Sequence, residues 1–428
     1  MRYGILGGGV LGLTAALRLA QKGNDVTVFE RGLVPGGLAS SFEVAPGIWL
    51  ERFYHHLFAS DSRAIALIEE LGLGERLEWH RPTTTVFLEG RIIPLDSPRS
   101  VLAFDPLPPL ARVHLAAGLA LLRLMPSPRL LGDAATGSAL PGLMGASAYR
   151  KVWNPLLEGK FGAAGSEIAM AWMWARIHSR TARLGYMRGG FHQVYAELAA
   201  AVERAGGDII YGSEVRRVRR SGPQLEIEAN GSPDRSFDRV ISTLPAVLTA
   251  RLAELPPSYL EQHPPPDSLG AHCLVLDLDR PLSDVYWIGV NDPTLPFLAV
   301  VEHTNMVDAA DYGGRHLVYL GNYRPMTDPI FGMSSEALLA EWVEPIRRIN
   351  PGFDQSWVRQ AWTFSAPFAQ PIVRPGYART IPGFITPLDG VYLATMFQVY
   401  PHDRGQNFSI ALAERLVAFL EREDPLNA

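Results

Sequence analysis

Apolar and polar positions at the start of the chain follow the order strand, helix, strand. The pattern predicts a strand over residues 3–6, a helix over residues 11–22 and a second strand over residues 25–30. A strand–helix–strand unit of this kind is typical of a parallel sheet with helices on its faces. The first 30 residues therefore indicate an α/β fold.

Similar patterns continue along the rest of the chain. Helical periodicity covers residues 63–71, most of 97–179 and 191–207, where a glycine pair ends the last helix. Strand patterns occupy 208–212, 214–220, 224–230, 238–245 and several segments between 269 and 323. The chain closes with a strand over 390–395 and a helix over 407–421.

The α/β-type segments lie near the start, the middle and the end of the chain, and other patterns lie between them. A chain of 428 residues is also too long for one simple core. We therefore predict two non-contiguous lobes. The first comprises residues 1–75, 186–246 and 376–428, and the second comprises residues 76–185 and 247–375.

Composition excludes several classes of function. The net charge of −5 argues against nucleic acid as a main partner. Cys273 is the single cysteine, so neither an internal disulfide nor a cysteine metal cluster can form, and no metal site is predicted. The first residues show no signal-peptide pattern, which predicts a cytoplasmic location.

One apolar stretch, residues 110–125, raises the question of membrane contact. It is too short to span a bilayer and is interrupted by Arg112 and Arg123. We interpret it as a buried helix or a helix of the second lobe, because short apolar runs usually belong to cores. Peripheral membrane contact, or an access route for an apolar substrate, is the alternative.

The first candidate binding motif is Gly7-x-Gly9-x-x-Gly12, between the first strand and the first helix. Gly7 permits a tight turn, Gly9 a close approach of a pyrophosphate, and Gly12 close packing of helix on strand. Val10 and Leu11 begin the helix whose free N–H groups would face the phosphates. The spacing therefore predicts dinucleotide binding.

An acidic residue and a second glycine pair narrow the choice of nucleotide. Glu30 lies 18 residues after Gly12, where it can accept hydrogen bonds from a ribose and would repel a 2′-phosphate, although Arg31 beside it leaves NADP open. Gly36 and Gly37 follow, and a bare backbone there can run along an extended dinucleotide. Between NAD and FAD, this second pair favours FAD. Leu38 and Ala39 continue the same segment.

Together with these residues, the segment 4–42 resembles the FAD family of flavin amine oxidases, protoporphyrinogen oxidase and phytoene desaturase-like enzymes. The segment reads "GILGGGVLGLTAALRLAQKGNDVTVFERGLVPGGLASSF". The resemblance implies a Rossmann-like FAD-binding domain of the glutathione-reductase type in the first lobe. It also implies an α+β substrate-binding domain in the second lobe. The cofactor it implies is FAD.

The resemblance extends to later segments. Residues 185–218 are similar to the family segment in which the backbone of Val215 would contact the adenine, and Thr243 lies in the strand that returns to the cofactor. Residues 389–416 take the place of the flavin segment, although Ala394-Thr395-Met396 replaces its usual Ala-Gly-Asp/Glu. A helix that starts near Gln406 or Asn407, after Arg404 and Gly405, would direct N–H groups at the flavin.

Candidate catalytic residues follow the second glycine pair. "FYHHLFASD", residues 53–61, resembles a UDP-galactopyranose mutase motif beside the flavin, with Ala59 where the mutase has a second histidine. The resemblance places Tyr54 and His55 at the cofactor and suggests that His56 orients the ring or accepts a proton. Alternatively, both histidines are ordinary residues at a helix entry.

The chain has only three lysines, and this bears on the reaction. Flavin amine oxidases often hold a lysine near the flavin in a substrate-lobe strand, and by position residues 269–279 form that strand. His272, Cys273 or Leu274 would take the place of that lysine. This weakens an amine oxidase assignment without affecting the FAD prediction.

Candidate substrate residues lie in the second lobe, each with a structural alternative. His303 is a second catalytic candidate, with Glu302 and Asn305 beside it to orient a substrate, or these residues form a turn that satisfies itself. Tyr319, Tyr323, Trp287 and Tyr400 could cover the flavin, or belong to the core. An arginine cluster could hold a phosphate or carboxylate, or be a solvated helix face: Arg176, Arg180, Arg183 and Arg188.

These inferences predict a flavoenzyme whose non-covalent FAD accepts a hydride from a C–H bond of a small organic substrate. One alternative is a non-redox mutase that acts on a nucleotide-linked sugar. A catalytically silent flavoprotein is a third class. The sequence does not identify the substrate, the electron acceptor or the oligomeric state.

Overall fold

The computed structural model describes residues 1–231 and 233–423. Its strands contribute to one parallel sheet, one large mixed sheet and three small sheets. In chain order they are β1 (Arg2–Leu6), β2 (Asp25–Phe29), β3 (Ser41–Ala45), β4 (Ile48–Glu51), β5 (Leu57–Phe58), β6 (Leu77–His80), β7 (Thr84–Leu88), β8 (Arg91–Pro94), β9 (Leu184–Met187), β10 (Asp208–Ile210), β11 (Val215–Ser221), β12 (Gln224–Ala229), β13 (Arg235–Phe237), β14 (Arg239–Ser242), β15 (Ser268–Leu278), β16 (Trp287–Val290), β17 (Ala299–Glu302), β18 (His316–Arg324), β19 (Val358–Pro371) and β20 (Val391–Leu393).

The helices either cover the parallel sheet, cover the mixed sheet or form a separate layer. They are α1 (Val10–Ala20), α2 (Ser62–Glu70), α3 (Pro98–Ala103), α4 (Pro109–Leu124), α5 (Thr136–Met144), α6 (Ala146–Ala148), α7 (Asn154–Phe161), α8 (Met170–His178), α9 (His192–Arg204), α10 (Ala246–Leu252), α11 (Pro257–Gln262), α12 (Ser335–Ile349) and α13 (Gln406–Arg422). Within the described ranges, no helix combines the length and the apolar character that a membrane crossing requires.

A five-stranded parallel sheet is formed by segments that are distant in sequence, in the order β10-β2-β1-β14-β20. Helices α1, α9 and α13 pack together on one face, and the antiparallel β11–β12–β13 sheet with α10 covers the other. The inner strands are apolar and buried, as expected for strands covered on both faces. The predicted α/β class with a Rossmann-like sheet is confirmed.

A seven-stranded sheet has the order β19-β15-β18-β17-β16-β7-β8 and is antiparallel except between β16 and β7. Side chains along β15 alternate between its two faces. Leu274 and Leu276 pack into the cluster that contains α12, whereas Cys273 and Val275 pack into the core shared with the parallel sheet. The mixed sheet is therefore covered on both faces.

The helical layer α3–α8 packs around its own core, centred on Trp172 and Phe161. Helix α4 departs from the expectation of a buried helix. Leu115 and Leu122 are buried, but Leu110 is 83% exposed and Leu124 is 79% exposed. The 3.6-residue period of the helix places the buried leucines on one face of α4 and the exposed leucines away from that face. Only one face of α4 therefore reaches the core.

The predicted lobe boundaries do not all coincide with breaks in the structure. The parallel sheet draws on residues 2–29, 208–242 and 391–393, and the mixed sheet on residues 84–94 and 268–371. A small sheet of β5, β9 and β6 crosses the predicted boundaries near residues 75 and 185, because β6 follows the first and β9 spans the second. The division into two lobes stays a prediction.

A buried glutamate connects β4 to β9, to the start of α9 and to β18 of the mixed sheet. Glu51, at the end of β4, is 1% exposed, and its two carboxylate oxygens accept hydrogen bonds from the Tyr186 hydroxyl and the Phe191 N–H, each at 2.7 Å. The Tyr186 hydroxyl lies 3.0 Å from that of Tyr312, and the Tyr319 hydroxyl on β18 donates to the Glu51 carbonyl at 2.7 Å. Burial raises the pKa of Glu51 to about 6, although the bonds from Tyr186 and Phe191 act in the opposite direction.

We predict that Glu51 makes the protein less stable as pH rises through the range from 4.5 to about 6. In this range the unfolded carboxyl is ionised while the folded one keeps its proton, so the free energy of unfolding falls with pH. The change is about 2 kcal/mol for a shift of this size. Chemical denaturation as a function of pH should show a smaller loss in Glu51→Gln than in the wild type, because the raised pKa of Asp61 contributes to both proteins.

Glu43→Gln is the matched control for this experiment. Glu43 is an exposed carboxylate on the neighbouring strand β3. The control should keep the pH dependence of the wild type. Equal pH dependence in Glu51→Gln and the wild type would contradict the prediction.

Candidate functional site

A cavity of about 1020 Å³ lies between the parallel sheet and the mixed sheet. Its lining includes Leu6, Phe29 and Thr243, at or next to the carboxyl ends of β1, β2 and β14. Ligands of open α/β sheets bind beyond this edge. The opposite side of the cavity is formed by β16, β18, β19 and the helical layer. The cavity therefore lies where the topology of the parallel sheet predicts a ligand.

Backbone atoms crowd together at the start of α1. Gly7 has a φ of 106°, and its N–H donates to the Phe29 carbonyl at 2.9 Å. A Cβ on Gly12 would lie 2.0 Å from the Gly7 carbonyl oxygen, which no side chain tolerates. Gly9 caps α1 without a side chain, so the first N–H groups of the helix stay accessible at the cavity.

The second glycine pair lies directly against the first motif. The Gly36 N–H donates to the Gly8 carbonyl at 2.9 Å, and a Cβ on Gly37 would lie 3.2 Å from the Gly9 Cα. Gly36 and Gly37 have φ values of 114° and 58°, a region that favours glycine. The two glycine segments thus form one backbone surface, which we call the glycine corner: Gly7–Gly9 and Gly36–Gly37.

Glu30 borders the cavity next to the glycine corner. One carboxylate oxygen accepts a hydrogen bond from the Gly8 N–H at 2.7 Å, and the other from the Gly32 N–H at 2.6 Å. These bonds hold the carboxylate in a fixed orientation. Each oxygen keeps a lone pair that can accept a bond from a ligand hydroxyl.

The structure brings together nearly all the residues predicted to bind the cofactor. Gly12 is the exception, because it packs against Gly7 behind the cavity wall. The predicted residues that line the cavity are Gly7, Gly9, Val10, Leu11, Glu30, Arg31, Gly36, Gly37, Leu38, Ala39, Tyr54, His55, Val215, Thr243, Arg404, Gly405, Gln406 and Asn407.

The C-terminal segment reaches the cavity despite its departure from the family signature. Thr395 and Met396 line the cavity, and Thr395 and Gln398 cap each other around a short turn. Helix α13 begins at Gln406 after Gly405, which offers no side-chain cap. The accessible N–H groups of this helix therefore face the cavity.

His56 lies at the cavity and is uncharged. Its Nδ1 forms a 3.0 Å hydrogen bond with the Tyr286 hydroxyl, and its ring contacts Phe58 edge-on. Burial lowers the pKa of His56 to about 3, and the positive charge of Arg180 acts in the same direction. A neutral imidazole with so low a pKa is a weak base, so the geometry favours orientation over proton acceptance.

His55 also lines the cavity and is likewise uncharged. Its Nδ1 lies 2.6 Å from the Phe53 carbonyl oxygen, a contact that requires the proton on Nδ1. Burial lowers the pKa of His55 to about 4. The chain between β4 and β5 therefore presents two neutral imidazoles rather than cations.

The structure does not bring His303 and its neighbours to the cavity. His303 is 3% exposed, and its Nε2 lies 2.8 Å from the Tyr312 hydroxyl. Glu302 accepts hydrogen bonds from the Leu282 N–H and from the Ser283 N–H and hydroxyl. This corrects the expectation of a substrate-orienting group, because Glu302 is bonded to the loop that precedes β16 and His303 to Tyr312, which lies between β17 and β18.

Asn305, Tyr319 and Tyr400 are likewise outside the cavity lining. Asn305 donates to two carbonyls of the loop before β16, and Tyr319 is fully buried with its hydroxyl on the Glu51 carbonyl. Tyr400 packs edge-on against Tyr377. The substrate role expected for them finds no geometric support, whereas Trp287 and Tyr323 do line the cavity.

Strand β15 carries the residues that the sequence predicts in the position of the family's lysine. It also lies behind the cavity wall. His272 and Cys273 are 2% and 1% exposed, and burial raises the pKa of the Cys273 thiol. A lysine reaches the cavity from another element, since Lys160 on α7 lines it. Its partner Asp403 is more than 240 residues away along the chain, so no local pattern in the sequence indicates this pair.

The arginine cluster divides into two pairs. Arg176 and Arg180 line the cavity. Arg183 lies over the Trp79 ring, and Arg188 pairs with Glu78 at 2.6 Å. Arg176 lies in the last turn of α8 and Arg180 in the segment after the helix end, so no helical spacing in the sequence separates the two pairs.

Comparison with known proteins places this geometry in a family. The family model described as flavin containing amine oxidoreductase matches residues 12–402. A segment of 79 residues is 35% identical to the 15-cis-phytoene desaturase of Synechococcus elongatus, which covers 18% of this chain and 17% of that enzyme.

Two solved structures share the fold over nearly the whole chain. A proposed protoporphyrinogen oxidase of Exiguobacterium sp. 255-15 matches with a TM-score of 0.79 and 18% identity over 99% of both chains. A reduced UDP-galactopyranose mutase matches with a TM-score of 0.73 and 14% identity over 98% of this chain and 96% of that one. At such identities these likenesses establish the fold.

Proposed function

The chain belongs to the flavin-containing amine oxidoreductase family and is an FAD-dependent oxidoreductase, and we propose that it takes a hydride from a C–H bond of a small organic substrate. The observation that carries this proposal is one continuous cavity that joins Glu30 and the glycine corner to Trp287 and Tyr323. Small-molecule sites usually measure about 300–1,000 Å³, so this cavity has room for a dinucleotide and a substrate.

The residues that line the cavity fit an extended FAD. Glu30 and Val215 would hold the adenosine, the glycine corner and the first N–H groups of α1 the pyrophosphate, and the segment from Tyr54 to His56 the flavin. The Gly9–Gly37 approach supports this placement, because both glycines line the cavity with bare backbone to which a pyrophosphate can come close. Arg404, Gly405, Gln406 and Asn407 would border the flavin.

FAD supplies the redox chemistry, and the protein supplies orientation and a defined electrostatic environment. The N-terminus of α13 carries partial positive charge, which favours negative charge at the pyrimidine end of the flavin. His56 contributes a neutral hydrogen-bonding group that Tyr286 holds in place. Hydride transfer needs no strong protein base, which agrees with the low pKa values of His55 and His56.

A non-redox mutase is the second candidate, and one observation favours it. Tyr54, His56 and Phe58 lie together at the cavity in the pattern that resembles the mutase motif. The second histidine of that motif is Ala59 here. Because the family model describes oxidoreductases, the redox function is the better-supported of the two.

A cytoplasmic location remains a proposal, and fractionation of cells tests it. Contact with a membrane surface is the alternative. The outward side of α4 supports that alternative, because Leu110, Val113, Leu121 and Leu124 are all more than half exposed.

The decisive test of function is anaerobic reduction of the purified yellow protein, followed by rapid mixing with oxygen. We expect FAD in the supernatant after heat denaturation, because the proposal requires non-covalent binding. Fast reoxidation with stoichiometric hydrogen peroxide would identify an oxidase and contradict the mutase. Slow reoxidation would leave a dehydrogenase or desaturase, and UDP-sugars would then be tested with the reduced protein. A chain that cannot be loaded with FAD would overturn the proposal.

We predict that Gly37→Ala weakens FAD binding by about tenfold or more, since a strained backbone costs roughly 1–3 kcal/mol when the ligand forces it to stay in place. The added Cβ would also press on Gly9. The measurement is fluorescence titration of the apoprotein with FAD. Gly132→Ala is the matched control, because Gly132 has a similar φ of 56° and no atom within 4 Å of its Cβ position. Equal FAD affinity in the two variants would contradict the prediction.

We predict that His56→Asn slows reduction of the bound FAD by about tenfold, the effect expected when one orienting hydrogen bond is lost. Because the pKa of His56 is about 3, its ionisation should cause no inflection of the rate between about pH 5 and 8. Stopped-flow reduction across this range measures both effects. His114→Asn on the exposed side of α4 should behave as the wild type. An inflection that disappears in His56→Asn would contradict the orienting role.

A further inference from the structure

Four cationic side chains border the cavity near Tyr54 and His56, and they come from three separate elements. Lys160 extends from α7, Arg176 from the last turn of α8 and Arg180 from the segment directly after it, and Arg404 from the loop before α13. We call Lys160, Arg176, Arg180 and Arg404 the cationic cluster. None of the four belongs to the parallel sheet or to the glycine corner.

The charge of the cationic cluster is only partly balanced. Lys160 Nζ lies 3.3 Å from an Asp403 carboxylate oxygen, and Arg404 donates to the Tyr323 hydroxyl. Among the described residues, no carboxylate forms an ion pair with Arg176 or Arg180, which lie over the rings of Trp172 and Phe58 at 5.4 and 5.8 Å.

The charges facing this part of the cavity sum to an excess of positive charge. Four cations face Asp403, and counting the cavity residue Asp61 as well still leaves two positive charges without a partner. Burial raises the pKa of Asp61 to about 6, while its carboxylate accepts a hydrogen bond from the Phe58 N–H. The excess is therefore present at neutral pH.

The pKa values of Asp403 and Arg180 respond to this positive potential. Burial would raise the pKa of Asp403, but the charges of Lys160, Arg404 and Arg176 outweigh it and lower the pKa. Burial also lowers the pKa of Arg180 to about 9, and repulsion from Arg176 adds to the effect. Cations held together in such a place are stabilised by any anion that enters between them.

The cluster is separate from the residues that fit the cofactor phosphates. Those phosphates have their own site in the glycine corner and at the start of α1, where backbone N–H groups are available. The cluster instead adjoins Tyr54, His56 and Trp287, on the side formed by the helical layer. The cluster therefore lies where the substrate would bind.

We propose that the cationic cluster binds an oxyanion of the substrate, a carboxylate or a phosphate, so that this enzyme acts on an organic anion rather than on a cationic amine. Guanidinium groups match the planar oxygen pairs of both anions. An ammonium substrate would meet uncompensated like charges at the same place. The inference rests on the proposed function, since it assigns the substrate class of that same site.

The test compares ligands of similar size that differ in charge. The FAD-loaded protein is titrated with benzoate, phenyl phosphate, benzamide and benzylamine, and binding is followed by the flavin absorption band and by calorimetry. We expect benzoate or phenyl phosphate to bind about tenfold or more tightly than benzamide and benzylamine, with an affinity that falls as salt is added. The ratio of benzoate to phenyl phosphate affinity distinguishes a carboxylate from a phosphate substrate.

Variants locate the binding site. Arg180→Gln should weaken binding of the preferred anion by about tenfold and leave FAD affinity unchanged. Arg183→Gln is the matched control, because Arg183 lies nearby over Trp79 and outside the cavity. It should keep the anion affinity of the wild type.

Three results would overturn the proposal: benzylamine binding as tightly as the anions, unchanged anion affinity in Arg180→Gln, or a loss of FAD affinity in that variant instead. The last would assign the cluster to the cofactor. If the protein holds no FAD, the proposed function fails, and calorimetry with benzoate and phenyl phosphate still tests the anion site by itself.

Discussion

Contact between bare backbones at the start of α1 determines where everything else in this protein can lie. Gly12 fits because no Cβ stands between it and the Gly7 carbonyl, and Gly37 fits because it carries no Cβ to press on the Gly9 backbone. These approaches set helix against strand and fix the path of the chain that leads from β2 towards His56. The cavity is the space that this arrangement leaves open beside the carboxyl ends of the parallel strands.

Buried polar groups hold the mixed sheet against this framework. The hydrogen bonds from Glu51 through Tyr186 and Tyr312 to His303 connect β4 to the end of β17, and Tyr319 adds a bond from β18. Polar groups at this depth are costly unless each finds a partner. The network therefore favours one relative position of the elements that form the two sides of the cavity. His303 has the imidazole of a candidate catalytic residue, but it serves as a member of this buried hydrogen-bond network.

The electrostatics of the cavity separate two tasks. The cavity residues His55 and His56 are neutral, because burial lowers the pKa of each well below the physiological range. The positive charge is carried by Lys160, Arg176, Arg180 and Arg404, on the side of the helical layer. Neutral groups suit hydride transfer, and cations suit recognition of an anion. The family is named for amine chemistry, and amines are cations at neutral pH. The electrostatics of this member's cavity instead suit an anion.

The sequence by itself determined the parts of this protein that depend on neighbours along the chain. Gly7, Gly9, Gly12 and Glu30 could be recognised because the turn, the helix start and the strand end lie within 30 residues. The tertiary structure alone decided that Glu302 and His303 face a loop, that Lys160 meets Asp403 and that one side of α4 stays exposed. The reason is physical: backbone conformation is set by local residue types, whereas burial and ion pairing depend on segments that meet only after the chain has folded.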